Sequence, residues 1–126
     1  MTPLLKVLIV EDDRAMAEMC ARLIRRHGHS AVIAESGEDA LAIVQSKSDV
    51  TAVLTDVQMP HMTGLELLIQ LRHIDAEMPV ILMTGYANLL SPMEARSLGA
   101  ADYLSKPFDA ETLIHSLERA FSANLS

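Results

Sequence analysis

Several segments of the sequence place a charged or hydroxyl side chain at the end of a short apolar run. Asp12 and Asp13 follow the first run, Asp56 follows a later one, and Thr84 and Lys106 end or follow two more. Runs of this kind are typical of buried strands in parallel sheets. Because such sheets bind ligands beyond the carboxyl ends of their strands, these side chains are candidates for one common site.

The chemistry that this set suggests is phosphoryl transfer to a carboxylate, with Asp56 as the nucleophile. Neighbouring carboxylates repel one another by roughly 4 kcal/mol per pair at about 4 Å when the effective dielectric constant is near 20. A cation must therefore accompany them, and carboxylate, carbonyl and water oxygens suit Mg²⁺. The Lys106 ammonium and the Thr84 hydroxyl are suited to contact phosphoryl oxygens.

Each of these residues also has an ordinary structural explanation. Asp56 could belong to a turn, and Asp12 or Asp13 could cap a helix. Thr84 could be a β-branched strand residue, and Lys106 could be solvated. These explanations are independent of one another and do not account for one shared end of the sheet. The combined pattern therefore favours a phosphoryl-accepting metal site.

The elements that must position these residues alternate along the chain. Strands are predicted at residues 6–10, 30–34, 51–55, 80–84 and 101–104. Apolar residues recur at helical spacing between these runs and after the last one. The alternation predicts an α/β fold with a parallel sheet of five strands, doubly wound with helices on both faces.

Composition argues against several classes of protein. A net charge of −7 disfavours a surface that binds nucleic acid or an anionic membrane. Cys20 is the only cysteine, which excludes an intrachain disulfide and a thiolate zinc cluster and predicts a small buried side chain in a reducing compartment. The first apolar run is too short for a membrane span. We therefore expect a cytoplasmic protein.

Four motifs give the chain a resemblance to a known family. They lie at residues 10–13, 55–60 with Gly64, 83–87, and 99–103 leading into 106–108. On these motifs the chain resembles the receiver domain of bacterial two-component response regulators, in particular the chemotaxis-regulator type. The resemblance implies one receiver domain over residues 1–126, with residues 122–126 as a tail or the start of a linker.

The resemblance also implies a flavodoxin-like sheet in the strand order 2-1-3-4-5 and a metal site. Asp56 would be the phosphoacceptor, and Asp13 and Asp56 would bind Mg²⁺ directly. Asp12 would act through water, and the backbone carbonyl of Gln58 would be a further ligand.

Thr84 and Lys106 would hold the phosphoryl group, and the bond before Pro107 would be cis. As the Thr84 hydroxyl moves towards that group, Tyr103 would rotate into the vacated space, a local charge event that biases a two-state element.

A signalling domain rather than an enzyme is implied. It would accept a phosphoryl group from a sensor histidine kinase or a histidine phosphotransfer protein and later lose it by its own slow dephosphorylation. The face formed by the fourth helix, fifth strand and fifth helix would carry the change to an output domain or downstream protein, or form a homodimer. No direct contact with nucleic acid or membrane is expected.

Two other functions share part of the pattern. A phosphatase of the haloacid-dehalogenase type also uses a strand-end aspartate and Mg²⁺, but it has a second acid two residues after the nucleophile, where this chain has Gln58. A nucleotide- or flavin-binding module needs a glycine-rich turn after the first strand, where this chain has acidic residues. The receiver interpretation is therefore preferred.

Overall fold

A computed structural model describes residues 4–46, 49–85 and 90–125. Strands and helices alternate along these residues, as the sequence predicts. In chain order they are β1 (Lys6–Val10), α1 (Arg14–Arg26), β2 (Ser30–Ala34), α2 (Gly37–Gln45), β3 (Ala52–Asp56), α3 (Gly64–Ile74), β4 (Val80–Thr84), α4 (Pro92–Ser97), β5 (Asp102–Ser105) and α5 (Ala110–Leu125). Within the described residues, no helix is both long and apolar enough to cross a bilayer.

The strands form one parallel sheet in the order β2-β1-β3-β4-β5. β1 and β3 are neighbours at its centre, and Val10 lies beside Thr55. On the other side of β3, Asp56 lies beside Met83, and Thr84 of β4 lies beside Ser105. The predicted fold class and strand order are confirmed.

The sheet separates two apolar cores. Neighbouring residues of β1, such as Leu8 and Ile9, face opposite cores. One core is covered by residues of α2, α3 and α4, and the other by residues of α1 and α5. β3 and β4 are buried along their whole length, as expected for strands covered on both faces. Cys20 lies fully buried in the α1–α5 core, and this burial raises the pKa of its thiol to about 11.

Side-chain caps begin several of the helices. Ser91 and Glu94 form a reciprocal capping box at the start of α4, and Asp109 accepts a hydrogen bond from the Thr112 backbone N at 2.8 Å at the start of α5. Thr63 forms a further capping box with Glu66 at the start of α3. Because α3 follows the loop after β3, this capping box fixes the point at which the chain leaves the loop and begins the helix.

Two predicted strands are displaced by one residue. β3 runs to Asp56, because Asp56 continues the ladder beside Met83 and is not yet part of the loop. β5 is Asp102–Ser105, because Ser105 still pairs with Thr84. At the carboxyl end of the chain, residues 122–125 continue α5.

Asp102 ties β5 to α5. Its Oδ2 accepts hydrogen bonds from Ser116 Oγ at 2.6 Å and Arg119 Nη2 at 2.8 Å, and its Oδ1 accepts one from the Tyr103 backbone N at 2.8 Å. Burial acts to raise the pKa of Asp102, but these contacts outweigh it, so the pKa lies below the ordinary value of 3.8. Since β5 leads directly into Lys106, the contact with α5 also fixes the strand end from which this lysine extends.

We expect Asp102→Asn to lower the free energy of unfolding by about 1–2 kcal/mol near neutral pH, because it removes charged hydrogen bonds. A carboxylate whose pKa is lower when folded stabilises the fold above its unfolded-state pKa and loses that effect as the pH falls through the folded-state pKa. The difference from the wild type should therefore shrink below the ordinary pKa of 3.8. Urea unfolding across this range measures it.

Asp49→Asn is the matched control, since the Asp49 carboxylate pairs with Lys6 on the surface with a side chain 84% exposed. This change should have little effect at any pH. A loss for Asp102→Asn that is the same at neutral and acidic pH would contradict the assignment of the stabilisation to the charged carboxylate.

Candidate functional site

The carboxyl ends of β1, β3, β4 and β5 meet at one edge of the sheet. Asp56 ends β3 with 7% of its surface exposed, and Thr84 ends β4 with 0% exposed. The Lys106 backbone N donates to the Thr84 carbonyl oxygen at 2.7 Å, and the Lys106–Pro107 bond is cis, which confirms that prediction. The strand ends that carry the predicted residues therefore converge.

Lys106 joins two carboxylates at this edge. Its Nζ donates to Glu11 Oε2 at 2.8 Å and to Asp56 Oδ2 at 3.0 Å. Burial acts to lower the pKa of Lys106, but the bonds to the two carboxylates outweigh it and raise the pKa above its ordinary value. The ammonium is therefore a held positive charge next to Asp56.

Three carboxylates lie close together at this edge of the sheet. Carboxylate oxygens of Glu11, Asp12 and Asp56 lie within 4.8 Å of one another. Burial raises the pKa of Glu11 to about 7, and the nearby Asp56 charge adds to the effect while the Lys106 bond opposes it. Glu11 is 1% exposed and Asp12 is open to solvent. The pocket could hold a metal, and an oxygen-only set suits a hard divalent cation.

Asp13 lies outside this cluster. Its Oδ1 accepts a hydrogen bond from the Met16 backbone N at 3.3 Å and caps α1. The structure groups Glu11 with Asp12 and Asp56, and no role was predicted for Glu11. The sequence does indicate that Asp13 is a helix cap, because the residue just before a helix is the usual cap and α1 begins at Arg14. That position turns the Asp13 carboxylate towards the helix.

The remaining predicted site residues lie nearby on the same elements. Gln58 is exposed in the loop after β3, and its backbone N donates to Asp56 Oδ1 at 3.1 Å. Tyr103 is half-buried on β5 and packs against the core on the α2–α3 side of the sheet. Residues 86 and 87, at the end of the third sequence motif, lie outside the described residues.

The loop between β3 and α3 contains a residue in an uncommon backbone conformation. His61 has a φ of 69°, in the left-handed region that a residue with a side chain rarely adopts. The Met62 backbone N donates to the Pro60 carbonyl oxygen at 2.8 Å, so the chain turns tightly at His61. The His61 side chain is exposed.

Comparison with known proteins gives this arrangement a family. Residues 7–118 match the family described as the response regulator receiver domain. The chain belongs to this family. The receiver domain is 41% identical over 114 residues to the response regulator protein FleR of Pseudomonas aeruginosa, covering 90% of this chain and 24% of FleR.

Two further comparisons agree with this assignment. The receiver domain is 36% identical over 116 residues to the DNA-binding transcriptional regulator NtrC of Salmonella typhimurium, covering 92% of this chain and 24% of NtrC. It therefore spans about a quarter of the length of these curated relatives. A CheY-like receiver domain protein from Methanospirillum hungatei has a similar structure, with a TM-score of 0.87, 27% identity and 97% of each chain covered.

The strained turn predicts that His61→Gly stabilises the receiver domain. Relief of a left-handed conformation, typically about 1–3 kcal/mol, should exceed the extra unfolded-chain entropy of glycine, about 0.5–1 kcal/mol. We expect a net gain of about 0.5–1 kcal/mol in the free energy of unfolding, measured with urea. His61→Ala is the control, because it keeps the Cβ atom. An equal gain for alanine would show that the imidazole, and not the backbone, is unfavourable.

The buried Glu11 carboxyl predicts a pH dependence in metal-free protein. Its folded pKa of about 7 lies above the ordinary 4.5, so the folded state binds the proton more tightly. The stabilisation of the fold by this tighter proton binding is therefore fully present below pH 4.5 and is lost as the pH rises towards 7. Compared with Glu11→Gln, the wild type should lose free energy of unfolding over this interval in EDTA, as measured by urea unfolding.

Added Mg²⁺ should weaken this loss, because a bound cation favours the ionised carboxylate. If the wild type and Glu11→Gln keep a constant stability difference across the interval in EDTA, the buried carboxyl does not titrate there and the electrostatic description of the pocket is wrong.

Proposed function

We propose that this receiver domain accepts a phosphoryl group on Asp56 from a histidine kinase or a histidine phosphotransfer protein. The observation that carries the proposal is the surroundings of the Asp56 carboxylate. Lys106 Nζ lies 3.0 Å from one of its oxygens, and carboxylate oxygens of Glu11 and Asp12 lie within 4.8 Å. A buried nucleophile is thus combined with the fixed ammonium of Lys106 and with oxygen ligands for a metal cation.

In the transfer, an Asp56 oxygen attacks phosphorus while the bond from phosphorus to the donor nitrogen breaks. The nitrogen keeps the electron pair of that bond. The Lys106 ammonium, which already faces Asp56 Oδ2, donates to a phosphoryl oxygen as negative charge spreads over these atoms. The Thr84 hydroxyl, at the end of the neighbouring strand, is the second proposed donor.

Hydrolysis of the phosphoryl group takes place at the same site. A water molecule attacks phosphorus, the Asp56 carboxylate leaves with the bonding electrons, and inorganic phosphate is released. The domain thereby returns to its starting state. In this proposal the domain acts as a signalling module and not as an enzyme that releases a metabolite, because its useful product is the changed surface.

The proposed cofactor is Mg²⁺. Glu11, Asp12 and Asp56 provide oxygens close enough to share one ion, and the backbone carbonyl of Gln58 is a proposed neutral ligand. When bound, Mg²⁺ would neutralise the carboxylates and stabilise charge on the phosphoryl oxygens. Asp13 remains a candidate ligand by resemblance, although its carboxylate caps α1.

The proposed switch joins Thr84 to Tyr103 and to the face formed by α4, β5 and α5. Two apolar side chains on α4 or directly after it support a binding role for this face, since Met93 is 79% exposed and Leu98 is 42% exposed. An output domain, a downstream protein or a second copy of the chain would bind there. NtrC is named a DNA-binding regulator, so a DNA-binding output is one proposal for a longer protein. We place this activity in the cytoplasm.

The first test is intact mass after incubation with acetyl phosphate and Mg²⁺. The wild type should gain one phosphoryl group, with acetate as the leaving group, and the gain should disappear in EDTA and in Asp56→Asn. No gain in the wild type would mean that the acid cluster is a metal or structural site without phosphoryl transfer.

Asp12→Asn and Asp13→Asn form a matched pair for the metal site. Asparagine keeps the cap at position 13, so both variants should fold. We expect Asp12→Asn to weaken Mg²⁺ binding by about tenfold or more, as is typical when metal-site groups are lost, and Asp13→Asn to bind nearly as the wild type does. The reverse result in calorimetric titration would make Asp13 the ligand.

A further inference from the structure

α3 begins directly against the phosphoacceptor. Gly64 is its first residue, and the Gly64 backbone N donates to the Val57 carbonyl oxygen at 2.8 Å. A methyl group on Gly64 would lie 2.2 Å from the Asp56 carbonyl oxygen and 2.8 Å from Val57 Cα. These are backbone atoms, which cannot rotate aside as a side chain does. The helix therefore packs on the peptide group of the acceptor itself.

The position of that peptide group determines where the acceptor carboxylate lies. The Val57 backbone N donates to the Met83 carbonyl oxygen at 2.9 Å, which holds the other side of the same backbone to β4. Asp56 Oδ1 and Oδ2 in turn meet Gln58 N at 3.1 Å and Lys106 Nζ at 3.0 Å. A shift of the Asp56 backbone would change both contacts and the spacing of the acid cluster.

We propose that Gly64 is a positioning residue for phosphoryl transfer. Its missing side chain lets α3 approach closely enough to hold the Asp56 peptide group where the carboxylate reaches both Lys106 and the other acids. Gly64 acts through Asp56 and makes no contact with the phosphoryl group. A displacement of about 1 Å at a reacting group can cost about 100-fold in rate, so the close approach matters for chemistry. The inference rests on the proposed function.

Gly37 offers a matched control within the same chain. It is the first residue of α2, as Gly64 is of α3, and each follows a hydroxyl cap, Ser36 or Thr63. Neither glycine has a positive φ, so alanine has an allowed φ at both positions and the two variants differ in what the added methyl group meets. A methyl on Gly37 would meet Met62, nearest at its Sδ atom (2.6 Å), in a flexible side chain that can move. Gly37→Ala therefore makes the same chemical change without pressing on the acceptor.

The experiment compares phosphorylation rates by intact mass at saturating Mg²⁺ and over a range of acetyl phosphate concentrations. Gly64→Ala should lower the maximal rate by about tenfold or more with little change in the half-saturating donor concentration, because the nucleophile is misplaced. Gly37→Ala should stay within about threefold of the wild type in the same assay. Thermal unfolding of each variant, followed by circular dichroism, shows that it is folded at the assay temperature.

A stabilised variant of the protein is used to separate a loss of rate from a loss of stability. Gly64→Ala is also made together with His61→Gly, and its rate is compared with that of His61→Gly alone. A folded Gly64→Ala that keeps the wild-type maximal rate, whatever its melting temperature, overturns the proposal. Failure to fold in both backgrounds assigns Gly64 a purely structural role and overturns it as well.

The wild-type result separates this inference from the proposed function. If the wild type gains no phosphoryl group, the proposed function fails and the inference fails with it. If the wild type gains one and Gly64→Ala gains it equally fast, only the positioning role is overturned.

Discussion

Two buried carboxylates share one ammonium at the carboxyl edge of this sheet, and the rest of the structure keeps that contact in place. Lys106 Nζ lies within 3.0 Å of oxygens from both Glu11 and Asp56. Charges so far removed from water are tolerated only when paired, and one ammonium does not neutralise a cluster of three acids. The pocket is therefore short of positive charge, which makes it receptive to a cation. Burial raises the pKa of Glu11 and the neighbouring Asp56 charge adds to that effect, while the two carboxylates raise the pKa of Lys106.

The strand order brings residues that are far apart in sequence into this contact. β1 and β3 lie side by side at the centre, so Glu11, directly after β1, comes close to Asp56 at the end of β3. Lys106 follows β5 at the edge and reaches past β4 to both acids, which makes the position of β5 critical. The Asp102 contacts with Ser116 and Arg119 on α5 hold that strand from the outside. Stability of an edge strand and chemistry at the centre of the sheet are thus connected.

Most of the fold was predictable because the strands are short runs rich in apolar residues and each helix begins after a recognisable capping residue. The site was less so. Three acids follow β1 in succession, and their types alone do not show which carboxylates face the sheet edge. Asp13 is drawn away because it caps α1, while Glu11 points inward and bonds to Lys106. The strained turn at His61 and the packing of α3 on Asp56 were also missed, because both depend on backbone distances and angles that no residue pattern encodes.

The contact between Gly64 and the Asp56 peptide group has a consequence for protein design. A designer who copied the acids and the lysine onto another parallel sheet would reproduce the functional groups but not the spacing between β3 and the helix after it. That spacing is set by the absence of a single methyl group, at a point where one would lie 2.2 Å from a backbone oxygen. A working transplant would need to specify the distance from helix to strand as carefully as the side chains, and glycine would be the residue that permits it.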